Sequence, residues 1–414
     1  MKGERKMKRL AVMFPGQGSQ YNGMMKEDYD RHPIVKETFE EASDILGYDM
    51  AALCFDGGED RLAQSELTQP ALLTVGVASF RLFAQETGIR PAAAAGHSLG
   101  EYTALTCAGV LKFADALQLV RERGRLMMEA SASGNGRMLA VSGIQADQAI
   151  RMIKNIENME KRPAIACFNS SHQIVLSGTN DAVTAAEELL KANGVKLSSL
   201  KVSGAFHSPL MAAAADELEE LLQRCEFGEF IFPVISNIEA KPYGLHKGDI
   251  VRNLKRQMTE SVRWRQTMSC LLRRSIDAAV ELAPRKTLTR LFKTDYPSFP
   301  VYSLEAQADR QAVFSPSFMA DYRYSNRYVL EQCLAAAVSV RNRCIDDQVY
   351  KEQVVAPYRQ LESMLLSLER NNAEPSAEQL QDALNGLKTI IRAKGGTEEE
   401  YRYPRIEMER MLSR

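Results

Sequence analysis

The chain has 414 residues, 45% of them hydrophobic and 25% charged, with a formal net charge of −1. It is too long for one ordinary core and too evenly charged to meet nucleic acid or an anionic membrane surface through a global field, so a charged partner must find a local patch. No stretch reads as a spanning segment of about 20 apolar residues, and the seven cysteines lie scattered without Cys-x-x-Cys, His-Glu-x-x-His or clustered Cys/His spacing, a pattern of reduced thiols in a cytoplasmic protein without a metal.

The first eight residues are basic, but a strand-like run, Leu10 to Phe14, follows them in place of an apolar signal core. It enters the loop Pro15-Gly16-Gln17-Gly18-Ser19-Gln20, which matches neither phosphate-cradling glycine pattern. The loop reads as an ordinary surface turn or as a neighbour of a catalytic turn, in which Gln17 lends its backbone N–H to an oxyanion. From Val35 to Leu67 the pattern is helical with breaks at Gly47 and Gly57-Gly58, and Thr68-Gln69-Pro70 opens a further helix over Ala71 to Glu86.

At Ala92 to Tyr102 a strand of small residues meets Gly96-His97-Ser98-Leu99-Gly100 and then a helix-compatible segment. In such an elbow the residues two before and two after the centre must be nearly free of side chain, so that strand and helix pack closely. Ser98 is the candidate nucleophile, and the N–H of Leu99 at the helix start is a candidate oxyanion donor. His97 belongs to the turn and faces away from Ser98, and Glu101 suits the positive end of the helix. An idle serine at a glycine-flanked strand end has the same five-residue pattern; the strand-to-helix context favours the nucleophile. A serine alone is a poor nucleophile and needs a base, oxyanion donors and a substrate anchor.

Phe113 to Ala130 is strongly helical, and its arginines at 121, 123 and 125 read as a solvated face with nothing to rank Arg123 above its neighbours. Residues 137–203 then run strand (138–141), helix (146–156), strand (164–168), strand (174–177), helix (182–193), strand (195–202), a ferredoxin-like insertion. It returns through Ser203-Gly204-Ala205-Phe206-His207-Ser208. His207 therefore either lines the cleft between insertion and core or packs at a helix start. Val234 to Asn237 reads as another strand end, and Arg252 to Lys293 holds eleven basic residues against three acidic ones, a solvated face or a dock for an acidic partner.

Strands alternating with helices predict an α/β protein with an α/β-hydrolase-like parallel sheet and the elbow at a strand's carboxyl end. The expected division is a core over 8–136 and 204–304, the insertion over 137–203, and a helical extension over 305–414. In the extension Leu361, Leu365 and Leu368 share one helix face and Leu380, Leu384, Leu387 and Ile391 another, with breaks at Pro357, Pro375 and Gly395-Gly396.

Four segments occur together: Gly-Gln-Gly-Ser-Gln at 16–20, Gly-His-Ser-Leu-Gly-Glu-Tyr at 96–102, Arg123-Gly124 25 residues past Ser98, and Gly-Ala-Phe-His-Ser-Pro-Leu-Met at 204–211. In that order and spacing the chain resembles the malonyl-CoA:acyl-carrier-protein transacylases over residues 8–304. The resemblance implies a malonyl ester on Ser98 and His207 as its base, with Gln17 and Leu99 as the oxyanion hole. It also implies that Arg123 grips the free malonyl carboxylate, and that the main-chain carbonyl of Gln257, in the matching segment Gln257 to Trp264, orients His207 in place of an aspartate. Phe206 would crowd a branching methyl, a preference worth about 1 to 3 kcal/mol and not an exclusion. Malonyl-CoA is then the substrate and the phosphopantetheine of an acidic acyl carrier protein the acceptor, with no permanently bound cofactor, no metal, no nucleic acid and no membrane.

The chain departs from the family at Glu281-Leu282-Ala283-Pro284-Arg285-Lys286, where relatives often have a Gly-Pro-Gly turn, and in the roughly 110 residues from Ala306. The extension favours a stand-alone enzyme serving a polyketide or polyketide-peptide assembly line in trans over one of housekeeping fatty-acid synthesis. Two competing readings are an acyl-carrier-protein hydrolase that clears stalled acyl groups, against which Arg123 argues, and a docking protein that keeps the fold without the activity.

Overall fold

The run Leu10–Phe14 (β1) is buried along its whole length, as an apolar strand without alternation must be when both faces of its sheet are covered. The computed structural model describes residues 8–396 except 133, 157, 159–161, 201, 203, 245, 323–325 and 372. The basic residues 1–7, positions 201 and 203 of the expected last strand and return loop, and residues 397–414 of the extension lie outside the described residues.

The remaining strands are β2 (Ala93–Gly96), β3 (Arg137–Ser142), β4 (Ala164–Ser170), β5 (Gln173–Gly178), β6 (Lys196–Ser199), β7 (Val234–Ile235), β8 (Ala278–Glu281) and β9 (Val301–Ser303). Five of them form the main sheet in the order β7-β2-β1-β8-β9, and every neighbouring pair is parallel. Parallel pairing requires crossovers, and it gathers the loops after all five strands at one edge of the sheet. Phe14 of β1 stands beside Gly96 of β2 in register, so the loop from Pro15 and the Ser98 turn leave the sheet side by side.

The four other strands form an antiparallel sheet in the order β4-β5-β3-β6. The helices Ala146–Lys154 and Asn180–Ala192 cover it, with Leu139, Val141, Ile153, Leu176 and Leu190 in a core of their own. This is the expected β-α-β-β-α-β insertion. It is stitched to the core where the N–H of Phe168 donates to the carbonyl of Val262 (2.9 Å) and the N–H of Val262 to that of Ala166 (2.8 Å).

The helix expected from Ala71 starts earlier and runs Ser65–Thr87 with Pro70 inside it. Pro70 is the sixth residue of the helix, so its missing N–H costs a single bond, the one to the Glu66 carbonyl, just past the first turn. This helix is long and apolar enough to span a bilayer by composition, contrary to the expectation that no run comes close, yet 78% of its apolar window is buried within the protein. It is a core helix.

The molecule divides into two compact units at Tyr322, later than the boundary expected at 304. Helices Gln307–Val313 and Pro316–Tyr322 belong to the first unit because their side chains pack into it. Phe318 meets the Tyr302 ring edge-on at 5.4 Å, Arg310 makes a bidentate pair with Asp28, and the Tyr21 hydroxyl donates to Glu305 (2.8 Å). The second unit contains the helices Asn326–Ser339, Ala356–Arg370 and Ala377–Ala393. Leu361, Leu368, Leu380, Leu384, Leu387 and Ile391 from the expected faces are buried in its own core. Pro357 does not break the chain there: a π turn over Lys351–Val355 precedes it and helix continues beyond it, a local widening of the kind that accommodates a missing N–H.

Candidate functional site

The elbow needs both glycines on steric grounds. A Cβ on Gly96 would lie 1.9 Å from the backbone of Gly100, and one on Gly100 would lie 2.0 Å from the Phe14 carbonyl oxygen. Between them Ser98 has φ 51° and ψ −106°, a conformation L residues rarely adopt, and the helix Leu99–Cys107 begins at the next residue. Asn237, just past β7, clamps the turn: its Oδ1 accepts the Ser98 N–H (2.7 Å) and its Nδ2 donates to the Gly96 carbonyl (2.7 Å).

His207 is buried and also has positive φ, 57°. Its Nε2 is 2.8 Å from Ser98 Oγ, and its Nδ1 is 2.6 Å from the main-chain oxygen of Gln257. Gln257 lies in the last turn of the helix Lys247–Thr259, where carbonyls have no intrahelical donor and the helix dipole is negative. That leaves the carbonyl free to hold an imidazole N–H. Burial, and then the positive charge of Arg123, push the His207 pKa down to about 3 against a smaller opposing effect of the Gln257 carbonyl, so the ring is neutral around pH 7.

Arg123 lies on the helix Phe113–Glu129 and is 1% exposed. Its neighbours follow the solvated-face reading, Arg121 exposed and Arg125 paired with Glu122 and Glu129, but Arg123 does not. The reason is Gly124, where a Cβ would sit 2.4 Å from the Ser65 carbonyl oxygen; the two helices approach so closely there that the adjacent side chain is turned inside. Arg123 Nη1 donates to Gln69 Oε1 (2.7 Å), and Nη2 to Ser98 Oγ (3.1 Å) and Gln257 Oε1 (3.0 Å). Its guanidinium lies 5.2 Å from the centre of the Tyr102 ring. Among the described residues this buried cation touches three neutral acceptors and no carboxylate.

The loop at 16–20 presses on the elbow, since a Cβ on Gly16 would be 2.4 Å from the His97 carbonyl oxygen. The next residue, Gln17, turns its side chain to donate to Ser65 Oγ (2.9 Å). Leu99 is fully buried at the first position of its helix, where no preceding turn supplies an acceptor for its N–H. Phe206 is buried beside His207. His97 turns to Asn169 of β4, Nε2 to Oδ1 2.9 Å, and so joins the elbow to the insertion.

Glu101 does more than complement a helix dipole. It is fully buried, its Oε1 accepting from the Tyr243 hydroxyl (2.6 Å) and the Asn237 N–H (2.9 Å), and its Oε2 from Gln257 Nε2. Burial raises its pKa to about 7. Sequence reading singled out neither this role nor Gln69, Asn237 and Tyr243; only the motif position of Glu101 and the strand-end position of Asn237 carried a signal.

The basic segment is partly neutralised by the protein itself. Arg252, Lys255, Arg256 and Arg265 pair with Asp249, with Asp216 and Glu219, with Glu260 and with Asp295. Arg285 lies over the Tyr21 ring with Nε on the Ser19 carbonyl (3.1 Å), while Lys286, Arg290 and Lys293 stand exposed after β8. Among the described residues no three His, Cys, Asp or Glu side chains are grouped as metal ligands.

The family model described as acyl transferase domain matches residues 12–324. The malonyl CoA-acyl carrier protein transacylase of Bacillus subtilis is 34% identical over 391 residues, which cover 94% of this chain and 97% of that one, so the likeness continues beyond the family model into the second unit. The protein of that name from Escherichia coli K12 is 41% identical over 291 residues, 69% of this chain and 93% of its own. Among solved structures, a malonyl-transacylase in complex with a type II polyketide synthase acyl-carrier protein superposes with a TM-score of 0.70 at 38% identity, covering 74% of this chain and 99% of that one.

Proposed function

This chain belongs to the acyl transferase family, and from that premise we propose that it moves a malonyl group from malonyl-CoA to the phosphopantetheine thiol of an acyl carrier protein through an ester on Ser98. The observation that carries the reading is the Arg123 guanidinium, buried without a carboxylate partner 3.1 Å from the Ser98 hydroxyl. An unpaired buried cation is costly, and an acyl group with its own carboxylate supplies the missing charge through two parallel hydrogen bonds. A neutral acyl group leaves it unmet, so malonyl is preferred over acetyl.

In the first half-reaction Ser98 Oγ attacks the thioester carbonyl carbon while neutral His207 takes the hydroxyl proton at Nε2. The N–H groups of Gln17 and Leu99 receive the oxyanion, and collapse expels the CoA thiolate, which leaves with the proton from His207. The carrier thiol then gives its proton to His207 and attacks the ester; collapse expels the Ser98 oxygen, which takes that proton back from His207 and so restores the hydroxyl and the neutral ring. The carbonyl of Gln257 holds His207 throughout, and Phe206 disfavours a branched acyl group. These steps use protein side chains and backbone alone, without a resident cofactor.

The second unit, into which the likeness to a relative extends, supports a free-standing enzyme working in trans for a polyketide or polyketide-peptide synthase. The test of the mechanism is incubation with labelled malonyl-CoA without carrier protein. A stable ester is expected on the wild type and none on Ser98→Ala; an unlabelled wild type would refute the ping-pong course.

A further inference from the structure

We propose that Glu101 is a positioning residue for this transfer, acting through the side-chain amide of Gln257; the inference rests on the malonyl reading above. Gln257 connects both working groups, its main-chain oxygen holding His207 (2.6 Å) and its side-chain Oε1 holding Arg123 Nη2 (3.0 Å). The backbone contact is set by the helix end. The side-chain contact depends on which way round the amide sits, because a flipped amide would turn its NH2 toward a guanidinium that can only donate.

Glu101 decides that orientation. Its Oε2 accepts from Gln257 Nε2, which also reaches the Ser98 carbonyl (3.0 Å), so a flip would set Oε1 against a carboxylate and a carbonyl. Glu101 is itself fixed by the Asn237 N–H and the Tyr243 hydroxyl on its other oxygen. It makes no hydrogen bond to Ser98 Oγ, His207 or Arg123; beside its through-space attraction to Arg123 and its hold on the Asn237 N–H, the route proposed here is the Gln257 amide.

Glu101→Gln keeps the shape and reverses one atom's chemistry. The backbone N–H of Asn237 must still meet an oxygen, so the new NH2 falls opposite Gln257 Nε2, donor against donor. The amide is driven to flip and Arg123 loses an acceptor that shapes its fork. The expected result is a KM for malonyl-CoA raised about tenfold with a much smaller change in the slow transfer from acetyl-CoA, which has no carboxylate to clamp. Gln257→Met removes the amide and leaves the main-chain carbonyl; it should raise the malonyl KM alike, and adding Glu101→Gln to it should change nothing further.

An unchanged malonyl KM in Glu101→Gln, equal losses with both acyl groups, or additive effects in the double variant would each overturn the proposal. If Glu101→Gln does not fold, Gln257→Met with a wild-type malonyl KM would overturn it alone. Failure of the wild type to take up labelled malonyl would instead bring down the reading of the activity.

Discussion

At His207 burial and a neighbouring cation act against a single helpful carbonyl, and the balance has a measurable sign. With its pKa pushed down to about 3, the ring is already a base at neutral pH, so the single-turnover rate of Ser98 malonylation at saturating malonyl-CoA, where a KM effect of Glu101 does not enter, should stay flat as pH falls through the ordinary histidine range near 6.5. An inflection there would contradict the assignment. The same depression costs stability on the acid side, because between about 6.5 and about 3 the unfolded chain binds a proton that the native state refuses. Glu101 and Glu281 have the opposite sign, since burial raises each to about 7. Their native protons stabilise fully below the unfolded value of 4.5, and that contribution is lost as pH rises through about 7. The urea midpoint of Glu281→Gln should therefore vary less than that of the wild type between about pH 5 and pH 8. For Arg123→Ala, malonyl transfer should fall by about 100-fold while acetyl transfer holds or rises; parallel loss of both, in initial rates with the two CoA esters, would remove Arg123 from its role.

The elements that build the site are short and closely apposed, and that closeness can be tested in the elbow. Gly96→Ala forces a methyl against backbone 1.9 Å away and should destabilise by about 3 kcal/mol or more, read as a lowered thermal midpoint. The elbow itself was legible in the sequence because its demands are local: two glycines, a small-residue strand and a helix start lie within eleven consecutive residues. So were the insertion and the leucine faces of the extension, which repeat at strand or helix period. Gln69, Asn237 and Tyr243 were not legible, for each acquires its meaning only when separate helices and strand ends meet over Ser98. Arg123 illustrates the limit, since periodicity gave it the surface of its neighbours and only the close approach at Gly124 buries it. Pro70 and Pro357 show local punctuation overruled, one by its place near a helix start and the other by a π turn.

At the scale of the molecule, the boundary at Tyr322 separates two kinds of truncation. Ending the chain after residue 322 should leave Ser98 malonylation intact, because the sheet, the insertion and every residue of the site lie in the first unit. Ending it after residue 304 removes Phe318, Val313 and the Arg310–Asp28 pair and should lower stability by about 3 to 5 kcal/mol or more, seen as a lower urea midpoint. For the second half-reaction, reversing charge at Lys286 and Arg290 should raise the KM for carrier protein, more at low salt than at high, and leave the KM for malonyl-CoA in place. The double duty of Gln257 has a practical corollary. One turn of helix gears the speed of the reaction to the choice of acyl group, since tilting it displaces proton acceptor and anion clamp together. An engineer who wants a different cargo at full turnover should leave that turn untouched and carve at Phe206.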